Sequence, residues 1–133
     1  MLAPSPAGGR PRSRTKFRSR LEGHQAAKPG KLEFNGETVR FPSRIELVRA
    51  AELMLLQRAG HITHLRFHPN YAHKVNGVKI WTYRADSEYR RDGVVVVEDV
   101  KPRGAPIDRL SRAKMKLHMA LFSRYMTLEI YNG

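Results

Sequence analysis

The order of local signals along this chain predicts an α/β domain in which a central mixed β-sheet is flanked by helices. Three observations predict it. Two segments carry apolar residues at helical spacing, several short runs are rich in β-branched and aromatic residues, and the dipeptides Asn35-Gly36, Asn76-Gly77 and Asp92-Gly93 fall between such runs. With 133 residues the chain is long enough for one domain with a real core.

The first ordered element is expected at Leu32-Glu33-Phe34, which Asn35-Gly36 joins to Thr38-Val39-Arg40-Phe41 as a hairpin with a two-residue turn. Pro42-Ser43 then opens a helix, with Ser43 as N-cap and Glu46 three residues on completing a capping-box pattern. That helix runs through Leu47, Val48, Leu53 and Leu56 and stops at Ala59-Gly60. Strands are expected over 61–67, 71–75, 78–89 and 94–100, with Pro102 ending the last of these. A second helix is expected over 108–124, with Leu110, Ala113, Leu117, Ala120 and Leu121 as its apolar stripe, and a final strand over 127–131. The order is therefore helix, several antiparallel strands, helix, strand.

Charge is uneven. The formal net charge is +13 and the pI about 10.8, the footprint of a phosphate-backbone binder. Residues 1–31 hold Arg10, Arg12, Arg14, Lys16, Arg18, Arg20, Lys28 and Lys31 against the single acid Glu22, among Pro, Gly, Ser and Ala. Such a stretch cannot bury enough apolar surface to offset its ordering entropy, so it reads as a disordered basic arm lying on nucleic acid, with the domain occupying 32–133. No run approaches the ~18 apolar residues of a membrane span. Cysteine is absent, which excludes disulfides and thiolate metal sites.

The chemistry concentrates at Tyr83-Arg84-Ala85-Asp86 and at Val97-Glu98-Asp99-Val100-Lys101. Side chains alternate along a strand, so Asp99 and Lys101 share one face while Glu98 and Val100 take the other. Asp99 can hold a hard divalent cation, Asp86 supplies a second carboxylate, and Lys101 stands beside them for a nucleophilic water. On the first helix Glu46 shares a face with Ala50, Leu53 and Gln57, which turns its carboxylate inward. Glu98 is expected to face away and serve solubility, and Glu88 to pair with Arg90 or Arg91. His61, His64 and His68, with His73 nearby, lack the spacing of a zinc site and are read as exposed or phosphate-contacting. Trp81, Tyr83 and Tyr89 form a stripe that either stacks on bases or is buried under a helix.

This order of Glu46, Asp86 and Asp99-Val100-Lys101 resembles the restriction-endonuclease-like nuclease superfamily, whose signature is Asp, a spacer, then Asp or Glu, any residue, and Lys. More narrowly, Phe41-Pro42-Ser43, the run from Leu55 to Ile62 and the two segments above resemble small phage and prophage endonuclease-like proteins related to Holliday-junction resolvases. The similarity spans roughly Leu32 to Ile130, with Ala85 standing where the signature has Pro. It implies a restriction-endonuclease-like core in the order α-β-β-β-α-β. It also implies Asp86, Asp99, Glu46 and the Val100 carbonyl as ligands of Mg²⁺ or Mn²⁺, and Lys101 beside the attacked phosphate. The expected activity is endonucleolytic cleavage of DNA, with branched DNA as candidate substrate, a homodimer as candidate assembly and a bacterial cytoplasm as the setting. Arg103, Arg109, Arg112, Lys114 and Lys116 are expected to join the basic arm on the phosphates. The alternative is a non-catalytic nucleic-acid-binding protein on the same scaffold.

Overall fold

The structure, a computed structural model, describes residues 30–133. The basic arm expected over 1–31 lies outside them except at its end. Gly30 and Lys31 belong to strand β1 (Gly30–Phe34), because their pairing with Phe41 and Arg40 lengthens the hairpin with β2 (Glu37–Phe41) by two residues. Asn35 and Gly36 both take positive φ, 52° and 80°, as the tight turn requires. Helix α1 (Arg44–Arg58) starts at N-cap Ser43, whose Oγ accepts from the Glu46 amide at 3.3 Å. It ends in a Schellman motif: Gly60, at φ 85°, donates to the Gln57 carbonyl and His61 to that of Leu56.

A four-stranded sheet forms the centre, in the order β3-β6-β7-β8, from β3 (Thr63–Phe67), β6 (Ser87–Arg91), β7 (Val94–Lys101) and β8 (Thr127–Asn132). The first two pairings are antiparallel and β7 runs parallel to β8, so the sheet is mixed. A parallel neighbour needs a crossover, and α2 (Arg109–Phe122) provides it. Val96 and Val97, adjacent on β7, belong to different core clusters. Val96 packs with Leu53, Ile62, Leu65 and Tyr89 beside α1, and Val97 with Tyr71, Tyr83, Ala85 and Met115 beside α2. The sheet is therefore covered on both faces, and residues 96–100 are all buried.

Two expectations are corrected here. The strand expected over 78–89 is two strands, β5 (Val78–Arg84) and β6, and β5 pairs with β4 (Asn70–Val75) in a separate two-stranded ribbon. The break falls at Ala85-Asp86, where the chain changes partners: the Ala85 amide donates to Pro69 and the Asp86 amide to Glu98. The expected stripe of α2 is also rotated, by roughly a third of a turn. Met115 and His118 point inward, with Ser111 and Phe122 half-buried beside them, whereas Leu110, Ala113 and Ala120 are exposed and Leu117 and Leu121 half-buried. The cause is the surface that α2 meets, which is the aromatic root of the ribbon: Tyr71 and Tyr83 with the buried imidazole of His73.

Candidate metal centre

Strand β7 does what alternation demands, sending Asp99 and Lys101 towards α2 and Glu98 and Val100 towards α1. Asp86 arrives at the same end of the sheet through the change of partners just before β6. Its Oδ2 accepts from the Val100 amide at 2.6 Å and its own amide donates to the Glu98 carbonyl at 3.1 Å, so it is pinned to β7 at two points. Glu46 reaches the site from the first turn of α1, where Ser43 Oγ donates to its Oε2 at 3.1 Å. Ala50 and Leu53 are buried on the same face of that helix, and Gln57 accepts from the Leu65 amide through its side chain. Glu46, Asp86, Asp99, Val100 and Lys101 together line a cavity of about 290 Å³. Lys101 faces this cavity and takes part in none of the ion pairs among the described residues.

Three carboxylates converge here, and Asp86 records the consequence. Burial first, then the charges of Asp99 and Glu46, push its carboxyl up to about 8 against the opposing hydrogen bond from Val100. Asp99 is held by Tyr83, whose hydroxyl donates to Oδ2 at 2.7 Å. Burial, followed by the charge of Asp99, holds the Tyr83 phenol above its ordinary range, so it stays a proton donor. Tyr83 is thus buried under α2 and serves a carboxylate.

His68 was not expected in the site. It occupies a positive φ of 54° at the end of β3, where its amide donates to the Asp86 carbonyl at 3.0 Å. One ligand atom from each of Glu46, His68 and Asp86 lies within 4.8 Å of the others. Burial, and then the charge of Arg84, lowers its pKa and favours the neutral imidazole that coordination needs. No spacing in the sequence separates His68 from His61 and His64, which are exposed, or from His73, which is buried elsewhere. Two carboxylates and an imidazole, with Asp99 adjacent, fit a divalent cation of hard to borderline character, Mn²⁺ ahead of Mg²⁺. A cation there would also offset the charges of Asp99 and Glu46, which add to burial in raising Asp86.

On the far side of Glu46 and Asp86 opens a larger cavity of about 750 Å³, lined by Lys31, Arg40, Phe41, His68 and Arg84. Glu46, Asp86 and Arg84 line both cavities, so the carboxylates sit at the junction of two cation-edged hollows.

No protein-family model, curated protein or solved structure matches this chain. The site therefore rests on its own geometry.

Of the cations expected on nucleic acid, Arg10, Arg12, Arg14, Lys16, Arg18 and Arg20 lie outside the described residues. Arg103, Arg109, Arg112 and Lys116 are exposed, although Arg112 donates to the Ile107 carbonyl at 3.0 Å, and Lys114 is half-buried in the smaller cavity. Glu98 corrects another expectation. It is buried at 1% exposure, where Arg49 donates to both of its oxygens at 2.8 and 2.9 Å and Tyr89 donates at 2.8 Å. Covering both faces of β7 leaves no solvent side for it. Glu88 pairs with Arg66 and accepts from Tyr71, rather than pairing with Arg90 or Arg91, because antiparallel register sets Arg66 opposite it. Trp81 is half-buried and donates to His73 Nδ1 at 2.7 Å. No helix among the described residues is long and apolar enough to cross a membrane.

Proposed function

We propose that this chain is a divalent-metal-dependent DNA endonuclease. The observation that carries the reading is the placement of Asp86 beside Glu46 and His68 and against Asp99, with Lys101 lining the cavity that Glu46, Asp86 and Asp99 share. The order α1-β3-β6-β7-α2-β8 supports it, since this is the α-β-β-β-α-β order of the superfamily the sequence resembles, with β1–β2 ahead of it and β4–β5 inserted.

When bound, a divalent cation would polarise a phosphate oxygen and acidify a coordinated water. Asp86, His68 and Glu46 would hold it, with Asp99 and the Val100 carbonyl completing the set. The chain's own residues supply the rest. Lys101 offers an ammonium beside Asp99, placed to balance charge that builds on phosphate oxygens, which is often the largest catalytic contribution. Tyr83 fixes the orientation of Asp99. Arg84, at the junction of the cavities, is placed to draw in a phosphate. The shape and charge of the hollows favour backbone contacts, so branched or nicked DNA is the proposed substrate class rather than a base sequence.

Cleavage of a labelled four-way junction, a nicked duplex and single-stranded DNA, with Mg²⁺ or Mn²⁺, tests the reading beside Asp99→Ala. Metal-dependent cutting that disappears in the variant is expected. Salt-sensitive binding without cutting, equal in both proteins, would leave a non-catalytic binding protein.

A further inference from the structure

Among the described residues the ribbon β4–β5 is backbone-paired with no other strand, and beyond His73 it leaves the body of the protein. Every residue from Lys74 to Ile80 is exposed, including Val75, Val78 at 62% and Ile80 at 49%. An isolated hairpin is marginal in water, and exposed β-branched apolar residues at its tip add to the cost. Its root is secured, because Tyr71, His73 and Tyr83 are buried against α2. The tip is what lacks a structural reason.

Charge says what it suits. No acidic residue occurs between Glu52 and Asp86, an interval that holds Arg58, Arg66, Lys74, Lys79 and Arg84. Lys74 and Lys79 are paired directly across the ribbon, and like charges facing each other this way are destabilising unless an anion lies between them. At the root, Arg84 lines both cavities beside Asp86. Lys114 of α2 lines the smaller cavity and stands 5.8 Å over the ring of Trp81 on the ribbon. Alternation along β4 sets Lys74 on the face opposite the buried His73, the face that also carries Arg84, so cations line that face from Arg84 at the cavities to the Lys74–Lys79 pair. From Arg84 to Lys79 the strand advances about 17 Å, close to five base pairs of duplex.

We infer that the β4–β5 ribbon is an arm that grips duplex DNA beside the cleavage site. Lys74 and Lys79 bridge backbone phosphates, and Val78 and Ile80 seat in the major groove, which admits a two-stranded ribbon. The inference rests on the reading of the carboxylate site as one that acts on DNA.

The experiment is metal-free fluorescence anisotropy of the full chain with a labelled duplex across a salt series, comparing Lys74→Gln/Lys79→Gln and Val78→Ser/Ile80→Ser with wild type. All four side chains are exposed, and circular dichroism verifies that the variants keep the fold. Loss of two phosphate contacts should lower the slope of log K against log salt by about 2 and weaken binding about tenfold or more near 0.1 M salt. The serine pair should weaken binding at an unchanged slope. Unaltered affinity and slope in both variants would overturn the arm. So would concentration-dependent self-association of wild type that the serine pair abolishes while DNA binding persists, since the tip would then be a subunit contact. Binding that depends on the ribbon, in a protein that cuts nothing with Mg²⁺ or Mn²⁺, would sink the nuclease and leave the arm. Cutting with ribbon-independent binding would do the reverse.

Discussion

Tyr83 donates to Asp99, His68 stands against Asp86 and Glu46, and Lys101 lines the cavity it shares with Asp86 and Asp99, so single side chains at this site have separable effects. Tyr83→Phe removes one oriented donor from Asp99, a proposed ligand, and should weaken divalent-cation binding about tenfold, read by titration calorimetry. His68→Ala should cost more for Mn²⁺ than for Mg²⁺, because imidazole suits the softer ion. An equal loss for both would remove His68 from the ligand set. Asp86, with its carboxyl pushed up to about 8, must shed its proton to bind metal. Below that pH, cation affinity should therefore rise with pH, and calorimetry in buffers of different ionisation enthalpy should register about one proton released. At this scale the sequence was legible where strand alternation decides the outcome. Asp99 and Lys101 share a face for that reason alone, whereas His68 meets Glu46 and Asp86 only through a turn that brings distant segments together.

Among the elements, α2 gives the sharpest contrast between local pattern and packing. Its sequence reads as one apolar stripe, yet the ribbon's aromatic root turns a different face inward, the one with Met115 and His118. Met115→Ala should cost roughly 2–5 kcal/mol in denaturant unfolding, while Leu110→Ala, at an exposed site, should stay within about 0.5. Equal effects would restore the stripe read from the sequence. On the opposite face α1 is tied to β7 by Arg49 and Glu98, a pair that burial makes costly to break from one side. Arg49→Met leaves an uncompensated buried carboxylate and should destabilise by about 3–5 kcal/mol. The cap of α1 and its Schellman end were legible because both are set by residues within one turn of each other.

Across the whole molecule, one polar chain ties the ribbon to the crossover helix. Indole N–H only donates, so Trp81 fixes His73 Nδ1 as an acceptor. His73 Nε2–H then faces His118 Nδ1 at 3.0 Å, and His118 Nε2–H faces the Met126 sulfur at 3.2 Å. The chain is complete only when both rings are neutral. Burial, and then the neighbouring His73, pulls His118 from 6.5 down to about 4. The unfolded chain therefore takes up a proton first as pH falls, and this contribution, full above pH 6.5, is lost towards pH 4. It amounts to about 3 kcal/mol. Asp86 acts in the opposite direction, since its raised carboxyl favours folding at low pH, so the stability of wild type alone mixes the two. The stability difference between wild type and His118→Phe isolates the imidazole and should narrow by about 3 kcal/mol between pH 6.5 and 4. A difference independent of pH would mean that His118 is charged in the fold.

The sequence by itself determined the mixed α/β class, both helices, the three tight turns and the shared face of Asp99 and Lys101. Each of these depends on neighbours a few residues apart: positive φ at Asn-Gly and Asp-Gly, a cap three residues from its amide, alternation along a strand. Tertiary structure alone decided that the chain changes partners at Ala85-Asp86, that α2 turns its Met115 face inward, that Glu98 is buried against Arg49, and that His68 meets Glu46 and Asp86. These outcomes depend on which surfaces come together after the chain closes, and the free energy that selects them is burial and pairing across segments that no local window contains.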